Sequence, residues 1–189
     1  MPTTTTLSLA QVRDELLALP QPFGRGAVQD VVERLEPAPG ELGPYLNFSF
    51  SGYTRTQFYG GPLYEILVLC WRAGQASPIH DHGASICSMA VVHGTCSSEV
   101  FHLDGYGKGE GPQVGEKAKL EPAGSASCGA GQVVTVEGRD IHRISNRDES
   151  GEDMVTIHFY LPPILTIRCF DQETDLCRVT EPETLMPRL

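Results

Sequence analysis

The 189-residue chain carries 24 acidic against 14 basic side chains, a formal net charge of −10 at pH 7, and an apolar content of 40%. Such a length is expected to form one domain with a sizeable core. The acidic balance disfavours nucleic acid and anionic membrane surfaces as partners, since both need a basic face. No apolar run approaches the roughly 20 residues that span a bilayer, and Met1–Ala10 lacks the basic and apolar regions of an export signal. Cys70, Cys87, Cys96, Cys128, Cys169 and Cys177 are scattered without a CxxC pair. That pattern fits reduced thiols in a cytoplasm better than a secreted disulfide framework.

Taken in chain order, Leu9–Leu19 has apolar residues at Val12, Leu16, Leu17 and Leu19 behind a candidate N-cap, Ser8, and is expected to be a short amphipathic helix. Val28, Val31, Val32 and Leu35 suggest a second helix that ends before Pro37. Pro37–Pro44 is loop, and beyond it the chain changes character. Short β-rich runs appear at Tyr45–Phe50, Thr54–Tyr59, Tyr64–Trp71, Ile86–Val92, Thr95–Leu103, Gln132–Val136, His142–Ser145, Met154–Tyr160 and Leu165–Phe170, punctuated by Gly, Pro, Asn and Asp. Such spacing predicts an antiparallel sandwich or barrel. Gly105–Gly115 and Gly124–Gly131 are expected as surface loops, and without a following helix their glycines are weak evidence for phosphate binding.

The segment from Gly74 to Gly94, GQASPIHDHGASICSMAVVHG, carries the chemistry. His80 and His82 stand one residue apart, so on an extended strand their imidazoles face the same way and can converge on one ion. His142, in GRDIHRISN, is the candidate third ligand. His93 and His102 are read as ordinary surface or core residues. Where many metal-binding barrels place a carboxylate, this chain has Cys87. Three neutral imidazoles leave a divalent ion its full charge, which suits an anionic ligand bound directly to the metal. Imidazole ligation accepts iron, zinc, copper or nickel, so spacing does not choose among them, and a zinc hydroxide site is the chemical rival.

The string G-x5-H-x-H-x4-C-x6-G resembles the first cupin motif with its glutamate replaced by Cys87. Together with Tyr53–Arg55, Leu69–Trp71, His142–Asn146, Ile157–Pro163 and Phe170–Gln172, it resembles the cysteine dioxygenases over roughly Tyr53 to Gln172. The resemblance implies an all-β cupin, a jelly-roll-like β-barrel with short N-terminal α-helices. Residues 1–40 would form a helical segment packed on the barrel, 45–172 the barrel with the metal site, and 173–189 a C-terminal extension. It implies an Fe(II) cofactor held by His80, His82 and His142, and addition of both atoms of O2 to the thiol of L-cysteine to give cysteine sulfinate, a step of cysteine catabolism and taurine biosynthesis. A cytoplasmic monomer is expected.

By the same resemblance Arg55 would hold the substrate carboxylate. Tyr160 would face the iron with His158 as its hydrogen-bond partner, and Tyr53 would line the pocket. Cys87 would join Tyr160 through a thioether bond. Glutamine in place of Arg55 marks relatives that use 3-mercaptopropionate, so Arg55 favours cysteine. Two positions depart from the animal-type pattern: Ile86 replaces a histidine and Leu161 a serine. A dioxygenase for 3-mercaptopropionate or another small thiol is the alternative. A non-catalytic metal-binding cupin is the second, and it would need neither Arg55 nor Tyr160.

Overall fold

The computed structural model describes residues 5–104, 111–138, 140–147 and 151–188. Two antiparallel sheets face one another. The first has the order β1 (Thr54–Gly60), β2 (Glu65–Trp71), β9 (Met154–Leu161), β4 (Ile86–His93), β7 (Val133–Glu137). The second has the order β11 (Cys177–Thr180), β10 (Ile167–Phe170), β3 (Ile79–His80), β8 (Ile141–Ser145), β5 (Thr95–Leu103), β6 (Leu120–Gly129). With two N-terminal helices, α1 (Leu9–Ala18) and α2 (Arg25–Val32), this is the expected all-β cupin architecture.

Period-two alternation explains how the first sheet is buried on both faces. On β2, Ile66, Val68 and Cys70 join a cluster with Leu9, Val12 and Leu16 of α1 and Val28, Val31 and Val32 of α2. Leu67, Leu69 and Trp71 point the other way, into the space between the sheets. Strand β9 repeats the pattern: Val155, Ile157, Phe159 and Leu161 face the helices, while Met154 and Tyr160 face the interior. Each fully buried side chain of this size contributes about 1.5–3 kcal/mol. The amphipathic helices are thus a lid on the outer face of the sheet, and the inner face is left for the site.

Helix α1 begins where the sequence predicts. Ser8 Oγ accepts from Gln11 N at 3.3 Å, and the Gln11 amide oxygen accepts from Ser8 N at 2.8 Å, a reciprocal capping box. The Glu41 carboxylate accepts from Leu9 N and Ala10 N, both at 3.0 Å, satisfying two more free donors.

Two expectations are corrected. Tyr45–Phe50 is not a strand: Pro44 sits inside a 3-10 turn at Gly43–Tyr45, and Asn47 N donates to Cys70 Sγ rather than to a ladder. Gly124–Gly131, expected as loop, falls largely within the ten-residue strand β6, which pairs with β5 from Thr95↔Gly129 to Leu103↔Leu120. Its Gly, Ala and Ser side chains lie mostly exposed on an outer strand, so no apolar alternation marks it. Residues 173–189, expected as an extension, supply β11 to the second sheet. Of the expected loop Gly105–Gly115, residues 111–115 are irregular and 105–110 lie outside the described residues. No helix of the described residues is long and apolar enough to cross a membrane.

The motif glycines have a backbone reason. Gly94, between β4 and β5, has φ +74°, and a Cβ there would lie 2.7 Å from Asp153 O. Only glycine fits.

Candidate metal centre

The two histidine-bearing segments meet because β3 pairs with β8, with His80 and His142 directly opposite. Strand β3 ends at His80, so His82 lies just past it rather than on it. The three rings still converge: centroids are 5.1 Å apart for His80 and His82, 4.9 Å for His80 and His142, and 4.7 Å for His82 and His142. One ring nitrogen from each lies within 4.8 Å of the others, and all three residues are buried.

Burial holds each imidazole neutral. It lowers the pKa of His80, and it drives those of His82 and His142 well below the usual histidine range, with mutual repulsion among the imidazoles adding to it. His80 Nδ1 donates to Pro78 O at 2.9 Å, which leaves its Nε2 lone pair free. His82 Nε2 and His142 Nε2 are 3.2 Å apart. Two nitrogens bound to one metal at about 2.0–2.1 Å, at angles between octahedral and tetrahedral, would be roughly 2.9–3.4 Å apart. The donor set fits a divalent transition metal. His82 Nδ1 is buried without a hydrogen-bond partner, so nothing among the described residues fixes this ring from behind.

Beside the imidazoles runs a chain of hydrogen bonds along the inner face of the first sheet. Trp71 Nε1 donates to Thr156 Oγ1 at 3.0 Å. Thr156 Oγ1 is 3.0 Å from His158 Nε2, and His158 Nδ1 is 3.0 Å from the Tyr160 hydroxyl. The indole can only donate, so Thr156 accepts from it, and its own proton can go to His158 Nε2 when the imidazole is the Nδ1–H tautomer. His158 then carries hydrogen on Nδ1 and donates to the Tyr160 oxygen. This leaves the phenolic proton free for another acceptor. Burial, with Arg55 and His80 nearby, pushes the His158 pKa down to about 3, so it stays neutral. Burial, reinforced by Cys87, raises Tyr160 well above its ordinary value. Thr156 was missed in the sequence, although its place two residues before His158 puts it on the same face.

Cys87 on β4 stands directly opposite Tyr160 on β9. Its Sγ is 4.0 Å from His158 Nδ1, and burial pushes the thiol up to about 12, against a hydrogen bond from Tyr160 and the charge of Arg55. Arg55, on β1, is 7% exposed, and its Nη1 is buried with no hydrogen-bond partner. The guanidinium lies 5.9 Å from the Tyr160 ring centroid. Tyr53 stacks on Trp71, centroids 4.2 Å apart at 12°. Tyr53, Arg55, His80, His158 and Tyr160 line one small chamber with Trp71, Ile164, Ile167 and Pro182. A buried cation with an unused donor, in one chamber with His80 and His158, is a receptor for a small anion beside the imidazole group.

Behind the imidazoles, Asp81 is 1% exposed and accepts from Arg168 Nε at 2.6 Å and from Gly83 N at 3.3 Å. Its backbone N donates to Arg168 O at 3.1 Å. Asp81 is thus turned away from the other two side chains of the HDH string and ties β3 to β10. As expected, His93 and His102 lie outside the site, and His93 is paired with Glu152 at 3.3 Å.

Comparison with known proteins gives the family. Cysteine dioxygenase type 1 of Rattus norvegicus is 30% identical over 148 residues, spanning 78% of this chain and 70% of the rat protein. The Homo sapiens protein of the same name is 29% identical over the same shares. A Klebsiella pneumoniae protein with a double-stranded β-helix domain is similar in structure at a TM-score of 0.46 and 15% identity, covering 64% of this chain and 86% of that one. The family model for cysteine dioxygenase type I matches residues 6–173, and the chain belongs to that family.

Proposed function

We propose that the protein is an Fe(II)-dependent thiol dioxygenase that adds both atoms of O2 to the thiol of L-cysteine, giving cysteine sulfinate. The observation that carries the reading is the shared chamber: His80 of the imidazole group and the unpartnered Nη1 of Arg55 line the same small space. His80, His82 and His142 would hold the ion. A ferrous ion there supplies redox chemistry that zinc lacks and favours the thiolate of a coordinated thiol.

The chain's own residues supply the rest. Arg55 pairs with the substrate carboxylate and fixes which way the small molecule points, which turns an encounter into a positioned one. Tyr160, accepting from His158, has one phenolic proton, which turns from the Cys87 sulfur toward the chamber to donate to developing negative charge. Trp71, stacked on Tyr53, and the apolar walls at Ile164 and Ile167 limit the water that reaches the site. The register that sets Cys87 against Tyr160 supports a thioether between Sγ and the ring carbon beside the hydroxyl. That bond replaces one S–H and one C–H, and the two electrons and two protons go to dioxygen. The six cysteines form no disulfide, which fits a protein at work in a reducing cytoplasm, where it is expected as a monomer.

Oxygen uptake by the iron-loaded protein, with L-cysteine set against 3-mercaptopropionate and the sulfinate identified by mass spectrometry, tests the reaction. Uptake with neither thiol would sink it. Arg55→Gln should raise KM for L-cysteine at least tenfold and shift preference toward the thiol without an amine; equal preference before and after would instead favour the 3-mercaptopropionate reading. Intact mass tests the crosslink. Its formation removes two hydrogens, and Tyr160→Phe should abolish that loss.

A further inference from the structure

The family match ends at residue 173, yet the chain beyond it builds part of the site. After β11 pairs with β10, residues 181–184 cross to the other sheet, where Leu185 N donates to Arg55 O at 2.7 Å and Leu185 O accepts from Gln57 N at 2.9 Å. The crossing is therefore anchored at both ends, and one anchor is the backbone of Arg55 itself. Pro182, in its middle, lines the inner chamber beside Tyr53, Arg55 and His80. Outside Pro182 lies a groove of about 780 Å³ that shares Tyr53, Arg55, Ile167 and Pro182 with the chamber. Those four residues are the neck between them. Among the described residues, the charged side chains lining this groove are Arg55, buried at its floor, and Glu181 and Glu183, exposed at its outer wall.

We propose that Glu181 and Glu183 are specificity-determining residues that admit thiols bearing both an ammonium and a carboxylate and disfavour thiols that are purely anionic. The inference rests on the proposed thiol dioxygenase function and adds the element that selects its substrate. A molecule entering the neck meets two exposed carboxylates before it reaches the buried guanidinium, whose Nη1 has no partner. An amino-acid thiol satisfies both ends: its ammonium is attracted by the glutamates while its carboxylate travels on to Arg55. A mercapto acid without the amine carries only the charge that the outer wall repels. Arg55 meets the carboxylate that both ligands carry, and the acidic wall adds the element that reads the ammonium. The separation is one of charge at a wet surface, so it is modest and screened by salt.

The test uses the full-length iron-loaded protein and the pair Glu181→Gln with Glu183→Gln. Both side chains are exposed, so the fold should be undisturbed. The affinities for L-cysteine and for 3-mercaptopropionate, measured without oxygen, should move apart in the wild type and together in the variant, the ratio falling roughly three- to tenfold in favour of 3-mercaptopropionate. The kcat/KM ratio should follow, through KM rather than kcat. Charge reversal to Lys at both positions should push the ratio further the same way, Asp at both should restore it, and 0.5 M salt should shrink the wild-type ratio toward that of the Gln variant. An unchanged ratio in both the Gln and the Lys variants would overturn the proposal. Loss of oxygen uptake with every thiol would sink the dioxygenase reading instead, and the anaerobic affinity ratio would still decide the role of the two glutamates.

Discussion

Within the site, the side chains with the most chemistry are held by neighbours with little of their own. His158 can only act as a neutral donor to Tyr160 if its far nitrogen is claimed, and Thr156 is the residue that claims it. Thr156→Val keeps the shape of the side chain and deletes the hydroxyl. It would leave the buried Trp71 N–H without an acceptor, at a cost of about 1–3 kcal/mol in folding stability. It would also release His158 to either tautomer, so kcat should fall while KM for L-cysteine stays within about twofold. Urea unfolding and steady-state oxygen uptake read the two effects separately; a rise in KM with kcat intact would contradict the assigned role. The three converging histidines were legible in the sequence because two of them stand one residue apart, whereas Arg55 was singled out only through the family-like string that holds it. Thr156 was not, since a threonine in a strand is first of all a good strand former.

Elements were legible in proportion to how much apolar surface they bury. The helices and the central strands β2, β4 and β9 carry their burial pattern in their residues. Strands β6 and β11 do not: one is rich in Gly, Ala and Ser and the other is mostly exposed, and backbone pairing rather than an alternating apolar face defines them. Strand β3 is shorter still, two residues, and yet it carries one imidazole and leads into another. Such a fragment needs an outside hold, and the buried Asp81–Arg168 pair provides it by fastening the strand to β10. Arg168→Met would strand the Asp81 carboxylate in a site only 1% exposed, and should cost about 3–5 kcal/mol. Adding Asp81→Asn should recover a large part of that loss, because an amide tolerates the same site without a charge. Chemical denaturation of the two variants checks the stability, and the affinity for cobalt(II), read from its absorption, should fall in Arg168→Met and partly return in the double variant. A single variant as stable as the wild type would mean that other contacts hold β3.

At the scale of the whole molecule, the arrangement of two sheets around a dry interior makes the site and the stability of the fold one problem. Four histidines sit between the sheets with their pKa values lowered by burial, which outweighs the opposing charge of Asp81 beside His80. The order of strands that brings them together was not readable from local pattern, because β3 and β8 are distant in the chain and become neighbours only by pairing, while β9 belongs to the facing sheet. The consequence is testable on metal-free protein. An unfolded histidine takes up its proton near pH 6.5, whereas folded His158 does so only at about 3. Between those values the unfolded chain binds more protons than the folded one, so stability rises with pH at about 1.4 kcal/mol per unit for each such group and is level above 6.5. His158 alone thus lowers stability by about 2 kcal/mol at pH 5 relative to pH 7.5. Surface carboxylates that are paired in the folded state also lose stability in acid, so the wild-type curve by itself does not isolate the histidine. His158→Gln does. Its difference from the wild type should shift by about 2 kcal/mol in favour of the variant as the pH falls from 7.5 to 5. Urea unfolding at the two pH values measures it, and parallel curves would show that His158 is protonated in the folded chain as readily as in the unfolded one.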